Sequence, residues 1–287
     1  MTVLLLGGSG QVGSLVTAEI LSRGGRPRVL TRKAEKLAEL PAGVEGFVGD
    51  FEQPESLAPA LAGVEAIFLL LANDPKETHQ ALTALAAIKQ SGVKRLVYLS
   101  SRLSSEAPHV PHAGAKLAVE AAITRSDLAY TILQPTFFAQ NDLMGREAIL
   151  HAGIYPHPLG QHGVARVDTR DVASAAATAL LSGKGAGACF PLSSPDAPNG
   201  PESAALWSEA LGREVRYPGD DLQAWAKSVE GLLPAWLIYD LVMMYRHLQA
   251  AGESLSDPEL ALQEDLLGGP PRRYGDFVGE TAQAWLG

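Results

Sequence analysis

Gly7, Gly10 and Gly13, spaced by two residues, follow the apolar run 3–6 and open a helical pattern that starts at Gln11. The chemistry such glycines serve is the holding of a phosphate. One glycine permits a tight turn, one lets the phosphate approach the backbone, and one lets helix and strand pack closely. Unbonded amides at the helix start, around Gln11, Val12 and Gly13, then face the anion. The spacing alone is a weak signal, because glycines punctuate many turns. A strand before it and a helix after it point to a dinucleotide. The second apolar run ends in Thr31-Arg32-Lys33, with no carboxylate before Glu35. An acidic residue there would hold the ribose 2′-hydroxyl of NAD, whereas arginine accommodates the 2′-phosphate of NADP. Arg32 can grip a phosphate with two bonds and Lys33 adds charge; the other reading is a solvated basic pair. The expected cofactor is NADP, with NAD left open.

Positioning those residues requires a particular order of elements. Apolar runs at 3–6, 28–31, 45–48, 66–70, 95–100 and 130–134 read as strands. Amphipathic segments at 11–23, 35–40, 54–61, 77–91 and 113–125 read as helices between them. Several strands are apolar throughout, as expected when helices cover both faces of a sheet. The fold class is α/β, a doubly wound parallel sheet. After Pro135 the rhythm changes, with Gly/Pro clusters at 153–163 and 191–201. A helix is expected over 169–181, strands at 188–192 and 214–217, a helix over 202–211, and a largely helical tail to Leu286. The expected division is a dinucleotide-binding part over 1–150, with a segment returning at 164–192. A smaller, mixed and mostly helical lobe over 151–287 would bind the substrate. Two lobes meeting at the carboxyl ends of parallel strands make a cleft for a ligand.

Composition limits the alternatives. With 46% hydrophobic and 19% charged residues the chain is ordinary globular protein rather than disordered. A formal net charge of −9 argues against nucleic acid as a partner. The single cysteine, Cys189 in GACFPL, excludes an internal disulfide and reads as a small core residue. No apolar run suits a signal peptide or a bilayer span, so no membrane partner and a cytoplasmic location are expected. The oligomeric state is open.

The sequence resembles the NmrA-like, atypical branch of the short-chain dehydrogenase/reductase superfamily. It is near the triphenylmethane-reductase-like and quinone-reductase-like proteins. The resemblance is carried by GGSGQVG at 7–13, TR at 31–32, GDF at 49–51, GVKRLVYLSS at 92–101 and HAGAKLAVEAAI at 112–123. It continues in YTILQPTFF at 130–138, VDTRDVA at 167–173 and the tail RRYGDFVGETAQAW. It covers nearly the whole chain and implies a Rossmann sheet. It places Asp50 and Phe51 beside the adenine, although Asp50 also reads as a turn or N-cap residue. It runs Leu71, Ala72 and Asn73 past the ribose. It sets Pro135, Thr136 and Phe137 along the nicotinamide, with Phe137 and Phe138 equally readable as core.

The same resemblance locates the catalytic positions. Members of the wider superfamily use serine, tyrosine and lysine, with Tyr-x-x-x-Lys on one helix face. Here His112 stands in the tyrosine position, Lys116 in the lysine position, and Ser100 or Ser101 in the serine position. Lysine would hold the ribose. Histidine can donate a proton near neutral pH, although Lys116 one turn away should disfavour an imidazolium; a structural histidine is the other reading. The implied activity is hydride transfer from NADP(H) to a small conjugated, aromatic or quinone-like substrate. The alternative is a non-catalytic NADP(H) sensor acting through a protein partner.

Other residues carry less. His109, His151, His157 and His162 lack metal-binding spacing, and no metal site is expected. Asp168 and Asp171 read as cap residues of the next helix, paired with Arg170 or Arg166. Trp207, Trp225, Trp236 and Trp285 read mainly as packing of the small lobe, with lining of the substrate cleft the other reading; Tyr239, Met243 and Met244, at helical spacing, read as core or as a wall between lobes.

Overall fold

The computed structural model describes residues 1–287, apart from the side chain of Ser104. The chain begins β1 (Thr2–Leu6), α1 (Gln11–Ser22), β2 (Arg26–Thr31), β3 (Glu45–Val48), α2 (Ala58–Leu61), β4 (Ala66–Leu69), α3 (Glu77–Ser91) and β5 (Arg95–Leu99). It continues α4 (Leu103–Glu106), α5 (Pro111–Thr124), β6 (Ala129–Pro135), β7 (Phe137–Phe138), β8 (Arg166–Val167), α6 (Thr169–Ser182) and β9 (Ala188–Leu192). The tail is helical: α7 (Gly200–Leu211), α8 (Leu222–Ser228), α9 (Ala235–Ala251), α10 (Asp257–Leu267) and α11 (Tyr274–Leu286).

Seven strands form one parallel sheet in the order β3-β2-β1-β4-β5-β6-β9. The order reverses between β1 and β4, the switch point where a crevice opens beyond the carboxyl ends. β1 and β4 are buried on both faces, which is why their sequences are apolar without alternation. On one face α1 and α6 close over Val3, Leu5, Phe68 and Val97. On the other, α3 and α5 close over Leu4, Leu6, Ile67 and Tyr98. A third apolar cluster joins Leu103 and Val110 to the tail through Trp207, Tyr245 and Phe277.

Several expectations are corrected. Residues 34–39 form a 3₁₀ turn instead of an α-helix, with Pro41 close behind it. Segment 54–61 divides into a 3₁₀ turn and the single-turn α2. No strand spans 214–217; only Arg216 bridges, to Ile154. Cys189 is exposed, because β9 is an edge strand whose buried side chains are Phe190, Pro191 and Leu192. Trp207 stacks on Trp285 with centroids 4.8 Å apart, and Trp225 meets Tyr245 edge-on. Tyr239 is 62% exposed and Trp236 39%, so neither is core, while Met244 is. Asp168 caps α6 and pairs with Arg170. Asp171 pairs instead with Arg272 of the tail. Arg166 is buried, donates to Ser203 and lies 4.1 Å from the centre of the Tyr274 ring.

Glu253 follows α9 and bridges backbone to backbone with Val164. One carboxylate oxygen accepts the Phe137 amide at 3.0 Å, and the other is sealed without a partner among the described residues. Burial pushes its carboxyl from 4.5 up to about 8, with nearby Glu106 adding to the rise against the Phe137 amide and Arg102. The folded protein therefore keeps a proton that the unfolded chain releases. This contribution to stability is complete below pH 4.5 and is lost as the pH rises to about 8. Thermal melts should show a Tm decline across that window that Glu253→Gln removes, raising Tm by several degrees at pH 8 but not at pH 4.5.

Candidate functional site

A cleft of about 480 Å³ lies at the carboxyl ends of β1, β2 and β4. Gly7, Gly10, Gln11 and Val12 line it from the β1–α1 turn, and Arg32 and Lys33 from the end of β2. Gly49 and Phe51 close it beyond β3, and Leu71 and Ala72 beyond β4. Three of the glycines do different work. Gly7 has φ +101°, and a Cβ there would stand 2.3 Å from the Leu70 carbonyl oxygen. A Cβ on Gly13 would stand 2.2 Å from the Gly7 carbonyl oxygen, so Gly13 lets α1 meet the turn. At Gly10 a Cβ would come no nearer than 3.5 Å to other protein atoms, yet it would occupy the cleft wall. A bare position there leaves the backbone open to a ligand, and glycine also suits the N-cap of α1. This cradle fits a dinucleotide pyrophosphate at a helix N-terminus.

At the end of β2 the cleft is positive. Arg32 and Lys33 line it together with Lys36, and none of the three forms an ion pair among the described residues. Lys36 lies in the segment 35–40, read from the sequence as a helix, and nothing in that pattern aims it at the cleft. The Lys36 amide donates to the Lys33 carbonyl at 3.1 Å, which turns the chain back at the end of β2. Glu35 does not line the cleft. Asp74, in the β4–α3 connection, and Gln80, in the first turn of α3, also unforeseen, line it too.

The remaining predicted residues lie behind or beside the cleft. Asp50 accepts the Glu52 amide at 3.0 Å, while its own amide donates to Ser56. It shapes the turn that presents Gly49 and Phe51. Pro135 ends β6, with its carbonyl accepting the Arg102 amide. Thr136 is buried with its hydroxyl on Ser193 at 3.1 Å, and Phe137 meets His157 edge-on. The Ser100 hydroxyl is turned inward onto Glu120, which also accepts from Gln134 at 3.1 Å. Ser100 is thus not brought to His112.

His112 and Lys116 occupy successive turns of α5, and each meets its own carboxylate. Lys116 donates to Glu77, at the start of α3, at 2.6 Å. The second Glu77 oxygen and the Tyr98 hydroxyl are sealed and unpartnered among the described residues. Burial, with Glu77 and Glu120 nearby, pushes the Tyr98 hydroxyl upward. Nδ1 of His112 lies 2.9 Å from Asp240 of α9, which also accepts the Asn73 side-chain amide at 3.1 Å. Burial works to raise Asp240, but His112 and Asn73 hold it below the ordinary carboxylate value. Beside the Lys116 charge that the sequence reading weighed at His112, the structure thus sets two carboxylates, Glu77 on Lys116 and Asp240 on the imidazole. Neither carboxylate was legible in sequence, Asp240 least of all, lying 128 residues from its histidine.

An NAD(P)H-binding family model matches residues 7–182, from the first glycine to the end of α6. The chain belongs to that NAD(P)H-binding family. It is an oxidoreductase-type protein of the NmrA-like, atypical short-chain dehydrogenase/reductase branch. It is 31% identical to an NAD(P)H azoreductase of Xenophilus azovorans over 99% of each chain. Its fold matches that of the NADPH complex of the Escherichia coli quinone oxidoreductase QOR2, with a TM-score of 0.88, 22% identity and full coverage of both chains. It also matches triphenylmethane reductase of Citrobacter sp. complexed with NADP(H), with a TM-score of 0.84, 24% identity, and coverage of 98% of this chain and all of the other.

The glycines of this family member separate experimentally. Gly13→Ala should lower stability by about 1–3 kcal/mol, the usual cost of overpacking, seen as a reduced melting temperature without cofactor. Gly10→Ala should melt like the wild type yet bind NADPH about tenfold more weakly, a loss of ~1.4 kcal/mol, by fluorescence titration.

Proposed function

We propose that the protein is an NADPH-dependent reductase that delivers hydride to a small, flat, conjugated or quinone-like acceptor. The observation that carries the cofactor choice is the Arg32–Lys33–Lys36 group, which lines the cleft without carboxylate partners. Three cations there suit a 2′-phosphate, and the arginine can hold it bidentately. The acceptor class is supported by the azoreductase relative, since the azo group of the compounds it is named for is a conjugated electron acceptor. When bound, the dihydronicotinamide supplies the hydride.

The chain's own residues bind and orient. The amides of Gly10, Gln11, Val12 and Gly13 take the pyrophosphate. Phe51 flanks the adenine on a turn held by Asp50, and Leu71, Ala72 and Asn73 flank the ribose. Lys116 gives one N–H to Glu77 and keeps two for the ribose hydroxyls. Ser100 acts through Glu120, holding the end of β5. His112 donates the proton. Pro135, Thr136 and Phe137 back the nicotinamide end. Residues 1–150 with 164–192 hold the cofactor, and the rest of 151–287 shapes the space for the acceptor.

NADPH consumption against quinones, azo dyes and triphenylmethane dyes tests the reaction. Turnover of at least one class is expected. Tight NADPH binding with no turnover on any of them would replace this reading by an NADP(H)-sensing one. Arg32→Ala with Lys36→Ala should weaken NADPH binding roughly 10–100-fold, the worth of one or two charge-assisted bonds, and leave NADH binding unchanged. An equal loss for both cofactors would make the group a solvated basic cluster.

A further inference from the structure

We propose that Asp240 is a positioning residue that fixes the tautomer and ring orientation of His112 and ties them to the cofactor rim. This rests on the reading of His112 as proton donor. Asp240 is 1% exposed and sits on α9, far in sequence from everything it touches. Its Oδ2 lies 2.9 Å from Nδ1 of His112, and its Oδ1 accepts the His112 backbone amide at 3.2 Å. Two contacts to one residue, through ring and backbone, fix both where the imidazole starts and which way it turns. Oδ2 also accepts from Asn73, whose neighbours Ala72 and Asp74 both line the cleft. One carboxylate thus joins α9, α5 and the rim beyond β4.

An ionised carboxylate only accepts hydrogen bonds, and Asp240 is held toward its ionised form. Nδ1 must therefore carry a proton. Nε2 has no hydrogen-bond partner among the described residues and is not sealed from solvent. It is the nitrogen left to exchange protons. In the imidazolium, Asp240 balances the charge. As the acceptor takes the hydride and its electron pair, Nε2 gives its proton to the reduced acceptor. His112 is left neutral with Nδ1–H still on Asp240, and water restores the Nε2 proton. The relation is that of an imidazole oriented by a carboxylate on its far nitrogen. The carboxylate itself stays ionised throughout.

Nitrogen NMR of ¹⁵N-histidine-labelled protein tests this without any turnover. The His112 signals are assigned by their loss in His112→Gln, and spectra are taken at alkaline pH, where imidazoles are neutral. The expected result is a proton on Nδ1 in the wild type and its transfer to Nε2 in Asp240→Ala. A wild-type His112 carrying its proton on Nε2 overturns the proposal, whether or not the variant folds. The kinetic arm uses whichever acceptor the wild type reduces. Asp240→Ala should lower kcat by about tenfold or more, part of the range ascribed to acid catalysis, with the NADPH Kd changed less than about twofold. An unchanged kcat also overturns it. If the wild type reduces nothing, the reductase reading falls, while the tautomer result still decides the role of Asp240.

Discussion

The first turn of α1 lies so close to the end of β1 that a side chain at Gly13 would stand 2.2 Å from the Gly7 carbonyl oxygen. That approach is possible only with bare backbone, and it aims the free amides of the helix start across the carboxyl edge of the sheet. It also sets α1 on the sheet, and with it α6, which packs on the same face. The neighbouring strands then bring Arg32 and Ala72 to either side of one turn, in a parallel register of β2 and β4 on β1. A cofactor site of this kind follows from one close contact repeated through a regular sheet.

Beyond that contact, the structure depends on buried carboxylates. Glu77, Glu120 and Asp240 are all nearly sealed, and each is met by donors from a different element. A buried charge without a partner costs several kcal/mol, so each carboxylate constrains the residues that answer it. Glu120 anchors Ser100 and Gln134 at the ends of β5 and β6. Glu77 draws in Lys116, and Asp240 draws in His112 and Asn73. His112 is in this way held through both its ring and its backbone amide. Through Asp240 the tail helix α9 is tied to α5 and to the rim beyond β4.

Much of the first half was legible in the sequence. Apolar runs without alternation identify doubly covered strands, and glycines at fixed offsets identify the turn, because both signals are local. Arg32 and Lys33 were legible for the same reason, as they end a strand. Lys36 was not, since it lies beyond the strand and its place on the cleft depends on how the following turn folds back. The exposure of Cys189 was equally hidden, because an apolar run does not say that its strand lies at a sheet edge.

By itself, the sequence determined the parallel sheet, the glycine turn and the basic end of β2. Backbone geometry and short-range periodicity decide those features, and a few neighbouring residues suffice to encode them. Only the tertiary structure decided which carboxylate answers which base. Glu77 lies 39 residues from Lys116, and Asp240 lies 128 from His112. Such pairings are selected by packing and by the cost of burying charge, and neither leaves a mark on the local pattern.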